Sequence, residues 1–187
     1  MEQITKHTAL LVLDMQEQLL NSLSNATPLV QEVSKAIEHA RKNNIPVIYA
    51  VVGFKKGFPE VSSDNKSFAR NMAHLAHVDM EQWMKVHPDI MPVADEPIVI
   101  KKRFSAFTGS DLELILRSKK INHLVLCGVV SSGVVLSTVV EAADKDYIMT
   151  ILSDGCIDRD DEVHKVLMEK IFQRYASVVT VNDWTKA

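Results

Sequence analysis

The stretch "LVLCGVVSSGVVLST", residues 124–138, joins an apolar run, a glycine and a segment of small residues. The apolar run at 124–127 is typical of a strand that is buried on both faces. Gly128 indicates a turn, and the small residues after it indicate the start of a helix. A strand, a turn and a helix in this order predict one unit of a parallel sheet, in which ligands bind beyond the carboxyl ends of the strands. We therefore expect this turn to border a functional site.

The rest of the chain repeats this alternation of strand-length apolar runs with segments of helical period. The predicted strands are residues 9–14, 47–52, 97–102, 124–127, 147–154 and 177–181. Six strands with intervening helices predict a three-layer α/β/α domain over residues 1–187. The sheet is expected to be Rossmann-like, doubly wound and mostly parallel.

Two helix starts carry specific signals. Thr27 and Pro28 predict an N-cap and a first helical residue, and Ser110 with Glu113 predicts a capping box. Between the second and third strands, residues 53–96 are irregular and contain several Gly and Pro. Such a long excursion is expected to cover a site.

Composition excludes several classes of protein. The 187 residues carry a formal net charge of -3, and no run of Lys or Arg could track a phosphate backbone. The apolar runs are shorter than the roughly 20 residues of a membrane span, and the start "MEQITKHT" lacks a signal-peptide profile. We expect a cytoplasmic protein that acts on a small molecule, without nucleic acid, membrane or cofactor.

Polar residues close three of the predicted strands. Asp14 closes the first strand, Lys101 the third, and Ser131 with Ser132 follows the fourth. A carboxylate at the end of a buried strand requires a cationic partner, and Lys101 is the natural candidate, with Lys102 as a near rival. The alternative is that Asp14 caps the following turn while Lys101 is solvated.

Four stretches together resemble one family: "ALLVLDMQ" at 9–16, "KKRFSAFTGSDLELILR" at 101–117, "LVLCGVVSSGVVLSTVVEAADKDY" at 124–147 and "ILSDGCIDRDDEVHKVL" at 151–167. On these motifs the chain is identified as a member of the isochorismatase-like superfamily, also called cysteine hydrolases. The resemblance implies hydrolysis of a small metabolite and a homo-oligomeric assembly. It also implies that Asp14 is the catalytic acid/base and Lys101 its partner.

The family's nucleophilic cysteine lies six residues after the turn glycine, and this chain has Val134 there. The resemblance further implies an oxyanion site of backbone N–H groups at the helix start, near a cis peptide between Val129 and Val130. The expected substrate-binding residues are Gln16, Val129, Val130, Ser131 and Gly133. One branch of the family, the isochorismatases, works without the cysteine by protonating a vinyl ether.

Other side chains are poor substitutes for the missing thiol. Cys127 belongs to the buried strand and is expected to be a small core residue, whereas Cys156 follows the fifth strand. Ser131 and Ser132 are expected to be helix-capping hydroxyls, and His164 a surface residue. The His residues form no set that matches a metal site, so no metal is predicted.

Two functional classes remain open: a thiol-independent hydrolase, and a non-catalytic ligand-binding member of the same superfamily. A dinucleotide-dependent oxidoreductase is disfavoured because "LDMQEQ" follows the first strand where a G-x-G-x-x-G turn would stand. Self-association is predicted because Met80, Trp83 and Met84 supply apolar surface within residues 53–96.

Overall fold

Six parallel strands form one sheet in the computed structural model, which describes residues 7–24, 26–93 and 95–186. The strands are β1 (Thr8–Leu13), β2 (Val47–Val52), β3 (Ile98–Lys101), β4 (His123–Val129), β5 (Ile148–Ile157) and β6 (Ser177–Val179). Their order is β3-β2-β1-β4-β5-β6, and every neighbouring pair is parallel. The predicted α/β fold is confirmed, with a sheet that is wholly parallel.

Helices connect the strands. They are α1 (Glu17–Leu20), α2 (Ala26–Lys42), α3 (Lys66–Leu75), α4 (Met80–Trp83), α5 (Leu112–Ser118), α6 (Leu136–Asp144), α7 (Asp161–Val166) and α8 (Val181–Lys186). A π-helical turn, Ser131–Val135, leads into α6, and α7 continues through Leu167–Ile171 and Phe172–Arg174 with altered pitch. Within the described ranges, no helix is long and apolar enough to cross a membrane.

The two faces of the sheet each carry an apolar core. All six residues of β1 are buried, and they alternate between the two cores as the pleat requires. Leu11 and Leu13 join the core beneath α5 and α6, whereas Leu10 and Val12 join the core beneath α2 and α8. A central strand covered on both faces explains the uninterrupted apolar run in the sequence.

The order of the strands places a crevice between β1 and β4. From β1 the chain proceeds outward through β2 and β3, and it then returns to β4 on the other side of β1. The connections leaving the carboxyl ends of β1 and β4 therefore diverge, and ligands bind at such a point in doubly wound sheets.

Gly128 makes a close approach to β1 and does not form the predicted turn. It lies within β4 at a φ of 136°, and a Cβ there would overlap the carbonyl group of Leu13. The chain bends after β4, where the peptide between Val129 and Val130 is cis, as the resemblance implied.

Both predicted helix starts are wrong in detail. Helix α2 begins at Ala26, so Thr27 and Pro28 lie inside its first turn, where a proline costs no hydrogen bond. The Ser110 hydroxyl accepts the N–H of Leu112 at 3.2 Å, but Glu113 pairs with Lys145 at 2.6 Å and closes no capping box. A nearby cation attracts the carboxylate more strongly than a backbone N–H group does.

Within the described part of residues 53–96, Phe54, Phe68 and Leu75 form a third apolar cluster, against which Val52 of β2 packs. Met80, Trp83 and Met84 are half-buried, and they pack against the second and third clusters. The prediction that these three side chains form exposed apolar surface is therefore wrong, because they are used within the chain.

Candidate active site

Asp14 follows β1 directly and directs a buried carboxylate into the crevice. Its backbone has a φ of 52°, a left-handed conformation that Asp tolerates better than most residues, and its N–H donates to the carbonyl of Ala50 at 2.8 Å. Lys101 Nζ lies 2.8 Å from Asp14 Oδ2. Among the described residues, Asp14 Oδ1 is buried without a hydrogen-bond partner. One carboxylate oxygen is thus held by the protein, and the other is free to interact with a ligand.

Lys101, and not Lys102, is the partner of Asp14. The Lys101 side chain is 2 % exposed, and its Nζ also donates to the carbonyl of Arg103 at 2.9 Å. The Lys102 ammonium group donates instead to the carbonyl of Gly53 at 2.7 Å and lies 3.9 Å from Glu60 Oε1. β3 ends at Lys101, and Lys102 lies just beyond the strand, so the two ammonium groups bind different partners.

Burial raises the pKa of Asp14 above its ordinary value, and the attraction of Lys101 only partly opposes this effect. Loss of hydration disfavours the charged carboxylate, whereas a neighbouring cation favours it. The protonated form of Asp14 is therefore more populated near neutral pH than that of an exposed aspartate. Such a group is suited to donate a proton as well as to accept one.

The start of the helix after β4 faces the same crevice. The N–H groups of Gly133 and Val135 donate to the carbonyl of Val130, at 3.1 and 3.4 Å. The N–H of Ser132 donates to Asp158 Oδ2 at 2.6 Å. Val134, the residue at the expected nucleophile position, is 2 % exposed, and its side chain carries no reactive group.

These elements enclose a cavity of about 560 Å³. Of the residues predicted for the site, the cavity is lined by Asp14, Lys101, Val129, Val130, Gly133 and Val134. Much of the remaining wall is apolar and comes from residues 53–96, including Phe54, Phe68, Met72, Leu75, Val78 and Trp83. The irregular segment therefore covers the site, as its sequence predicted.

Two residues on the wall of the cavity, Asp158 and Arg159, were missed by the sequence analysis. They follow β5 at the same edge of the sheet as Asp14 and Lys101. The rule that placed Asp14 at a strand end could have found them. The predicted strand stopped at residue 154, however, and the observed strand extends to Ile157.

Gln16 is not part of the cavity lining, and the prediction that it binds substrate is not supported by its contacts. The residue is completely buried, and its Nε2 donates to the carbonyls of Trp83 at 2.6 Å and Val52 at 3.3 Å. Its Oε1 accepts the N–H of Val52 at 2.7 Å. The amide is therefore used to fasten β2 and α4 to the segment after β1.

Ser131 is also outside the cavity lining, and its hydroxyl does not cap the helix. Its fully buried hydroxyl lies 2.8 Å from His164 Nδ1 and 3.2 Å from the carbonyl of Ile157. His164 is half-buried rather than on the surface. Burial lowers the pKa of His164, although the nearby Asp158 and Asp161 carboxylates oppose that effect.

Neither cysteine is placed to act as a nucleophile in the cavity. Cys127 is fully buried, as predicted, and its Sγ lies 3.6 Å from the carbonyl of Leu11. Burial raises the pKa of Cys127, and it raises that of Cys156 to about 12. Both thiols are therefore protonated at neutral pH, and neither lines the cavity. Within the described ranges, no group of three or more His, Cys, Asp and Glu side chains could hold a metal ion.

Comparison with known proteins places the chain in a family. Residues 8–183 match the model of the isochorismatase domain. The chain belongs to the isochorismatase family. A relative in Escherichia coli O157:H7, the uncharacterized isochorismatase family protein YecD, is 31% identical over 182 residues, covering 95% of this chain and 94% of YecD.

Further relatives of this isochorismatase-family chain include a named enzyme. The ureidoacrylate amidohydrolase RutB of Caulobacter vibrioides is 27% identical over 203 residues, covering 96% of this chain and 90% of that protein. The fold matches the crystal structure of a cysteine hydrolase from Pseudomonas syringae with a TM-score of 0.84 and 21% identity, over 97% of this chain and 92% of that one. Members of the isochorismatase family are hydrolases, which confirms the predicted superfamily and general class.

Proposed function

We propose that this isochorismatase-family chain is a thiol-independent hydrolase of a small metabolite. In this proposal Asp14 is the catalytic acid/base, Lys101 is its charge partner, and Val134 stands where related enzymes place their cysteine. The observation that carries the proposal is the buried Asp14–Lys101 ion pair, 2.8 Å long, on the wall of a cavity that Val134 also lines.

The geometry of the pair favours proton donation by Asp14. Lys101 holds Oδ2, so the partnerless Oδ1 is the oxygen that can carry a proton to the substrate. The raised pKa of Asp14 supports this role because it keeps part of the population protonated near neutral pH. Once the proton has left, Lys101 stabilises the resulting buried carboxylate.

Backbone groups at the helix start would stabilise negative charge that develops on the substrate. The N–H groups of Ser132, Gly133 and Val135 already have acceptors. Among the residues of the helix start that line the cavity, this leaves the N–H groups of Val130 and Val134 as the candidates for an oxyanion site. The aligned peptide dipoles of the 14 residues from Ser131 to Asp144 add positive potential at this end.

A substrate screen with a matched variant tests the proposal. Purified protein is incubated with vinyl ethers, carboxylic amides and esters, and each hydrolysis is followed by mass spectrometry. Asp14→Asn should abolish the activity that the wild type shows. Asp146→Asn is the control, because Asp146 also has a positive φ, 62°, but is exposed and outside the cavity.

The outcome also separates the two functional classes. Turnover that disappears in Asp14→Asn and persists in Asp146→Asn supports the hydrolase. Binding of panel compounds without turnover, weakened in Asp14→Asn, would identify a non-catalytic ligand-binding protein instead. Hydrolysis that survives Asp14→Asn would place the chemistry elsewhere.

A further inference from the structure

The cavity contains a second carboxylate, that of Asp158. This residue follows the last residue of β5 and lines the cavity together with Asp14. Its side chain is half-buried, whereas Asp14 is 6% exposed. Asp158 has no role in the mechanism described above, so its position in the cavity requires an explanation.

Asp158 is oriented by two backbone N–H groups. The Oδ2 atom of Asp158 accepts a hydrogen bond from the N–H of Ser132 at 2.6 Å. The Oδ1 atom accepts one from the N–H of Arg159, the next residue, at 2.8 Å. Within the described residues, it forms no salt bridge with a lysine or arginine. Each carboxylate oxygen has more than one lone pair, so both can accept a further hydrogen bond. The contact with Ser132 holds Asp158 at the helix start, two residues before Val134.

Hydrolysis without a thiol uses water as the nucleophile, and a positioned group that accepts a proton from this water accelerates its attack. The titratable side chains that line the cavity and can accept a proton are Asp14, Asp158 and His74. Asp14 is assigned to the acid step. His74 lies on α3, exposed, and no hydrogen bond within the described ranges orients it. Asp158 is both oriented and next to the helix start.

We propose that Asp158 is the general base of this cavity and deprotonates the hydrolytic water, while Asp14 protonates the substrate. An O–H bond of water breaks as its proton moves to Asp158, and the water oxygen forms a bond to the substrate carbon. The proton of Asp14 moves to the substrate, and the bond to the leaving group breaks with its electron pair. Exchange with solvent then removes one proton from Asp158 and returns one to Asp14.

The different surroundings of the two carboxyl groups explain why Asp14 acts as the acid and Asp158 as the base. Asp14 is buried beside a lysine, whereas Asp158 is half-buried and bonded to neutral N–H groups. Two carboxyl groups in different environments are a common basis for acid and base roles in one site. The other titratable groups near Asp158 are Arg159 and Asp161, which line an adjoining smaller cavity with it, and His164.

The inference rests on the proposed hydrolase but is tested without a native substrate. The probe is 5-nitrobenzisoxazole, an aromatic ring whose opening needs only a base. The base removes the ring C–H proton, the N–O bond breaks, and a nitrile and a coloured phenolate form. Aromatic walls at Phe54, Phe68 and Trp83 suit the probe.

Wild type should open the ring faster than Asp158→Asn by roughly 100-fold, the usual contribution of a positioned base. The asparagine oxygen can still accept the Ser132 N–H, which preserves the local contact. The control Asp161→Asn, at a residue that lines only the adjoining smaller cavity, should stay within a few-fold of wild type. In Asp158→Ala, added formate should restore the rate, because it supplies the missing base to a folded cavity.

Equal rates in wild type and Asp158→Asn would overturn the inference, as would a loss confined to Asp14→Asn. An Asp158→Ala protein that formate does not rescue would show that Asp158 acts only on the fold. These results do not depend on the substrate screen. An Asp158-dependent ring opening without Asp14-dependent hydrolysis would therefore retain the base and reject the proposed hydrolase.

Discussion

Burial and the neighbouring Lys101 have opposite effects on the pKa of Asp14. Burial favours the neutral carboxylic acid, and Lys101 favours the carboxylate. The balance leaves Asp14, on the cavity wall, with a raised pKa and with one buried carboxylate oxygen that has no hydrogen-bond partner among the described residues. An acid of this kind works only while it is protonated, so the pH dependence of turnover reports on it directly.

Lys101→Met should move the alkaline limb of the pH–rate profile to higher pH. In the wild type, turnover should fall as the pH rises through the pKa of Asp14, because the acid loses its proton. Removing the cation removes the influence that lowers this pKa, so the limb should shift upward by about one pH unit or more. The measurement is kcat/KM against pH on a substrate from the screen. Lys102→Met is the control, and a downward shift in Lys101→Met would contradict the assignment.

Val134 lies at the start of the helix after β4, where we propose that backbone N–H groups stabilise an anion. A thiol placed there would lie near Lys101 and the helix dipole, both of which lower the pKa of a cysteine. The native thiols of Cys127 and Cys156 lie in the core with raised pKa values. The introduced and native thiols should therefore differ greatly in reactivity.

Val134→Cys should react with iodoacetamide at neutral pH at least about tenfold faster than a free thiol on the surface. Treatment of the wild type with the same reagent should leave both native cysteines unlabelled and its activity intact. The reaction is followed by intact-protein mass spectrometry. A Val134→Cys thiol no more reactive than a surface thiol would mean that residue 134 does not face the cavity.

The contact between β1 and β4 depends on a glycine. Gly128 combines a positive φ with a position so close to Leu13 that any side chain would overlap the carbonyl group. These two strands carry Asp14 and the helix start, so their spacing fixes the geometry of the site. The strand ends can be brought together only because one residue lacks a Cβ.

Gly128→Ala should lower the free energy of unfolding by more than about 3 kcal/mol, because strands in a packed sheet cannot separate freely. Gly57→Ala is the matched control. Gly57 also has a positive φ, 81°, but a Cβ there would meet nothing within 4 Å, so only about 1 kcal/mol should be lost. Urea denaturation gives the free energy of unfolding of both variants. Equal losses in the two variants would show that the overlap at residue 128 does not destabilise the fold.

Gln16 fastens the wall of the cavity to the sheet. Its amide makes three hydrogen bonds to the backbone of Val52 and Trp83. Gln16→Ala should lower the free energy of unfolding by about 2 kcal/mol or more, because buried backbone groups lose their partners. Gln173→Ala, at an exposed position, should change stability by less than about 0.5 kcal/mol. The free energies of unfolding of both variants are measured by urea denaturation. Similar losses in the two variants would contradict the proposal that Gln16 stabilises the cavity wall.

Self-association of the whole molecule stays a prediction, although its original reason does not hold. Met80, Trp83 and Met84 pack within the chain. Large apolar side chains are exposed elsewhere, at Met91, Val93, Ile98, Leu114 and Ile148. A partner chain that covers some of these side chains would remove apolar surface from water. Light scattering at micromolar concentration should give a mass above that of one chain of 20.9 kDa, and a strict monomer would contradict the expectation.

Properties that depend on residues near one another in sequence were predictable. Apolar runs of strand length identified all six strands, and their alternation with segments of helical period implied a parallel, doubly wound sheet. Asp14 and Lys101 were found because strand ends collect at one edge of a parallel sheet. Counting six residues from Gly128 placed Val134, and the structure puts that side chain on the cavity wall.

Properties that depend on the direction of a side chain, or on partners distant in sequence, required the folded chain. A shift of one residue turns a strand side chain to the other face, so spacing could not choose between Lys101 and Lys102. Gln16 and Ser131 were assigned to substrate by position in a motif, but their polar groups are taken up by Trp83 and His164. Asp158 reaches Ser132 across 26 residues because β4 and β5 are neighbours in the sheet. Burial obliges each polar group to find a partner, and packing determines which partner is within reach.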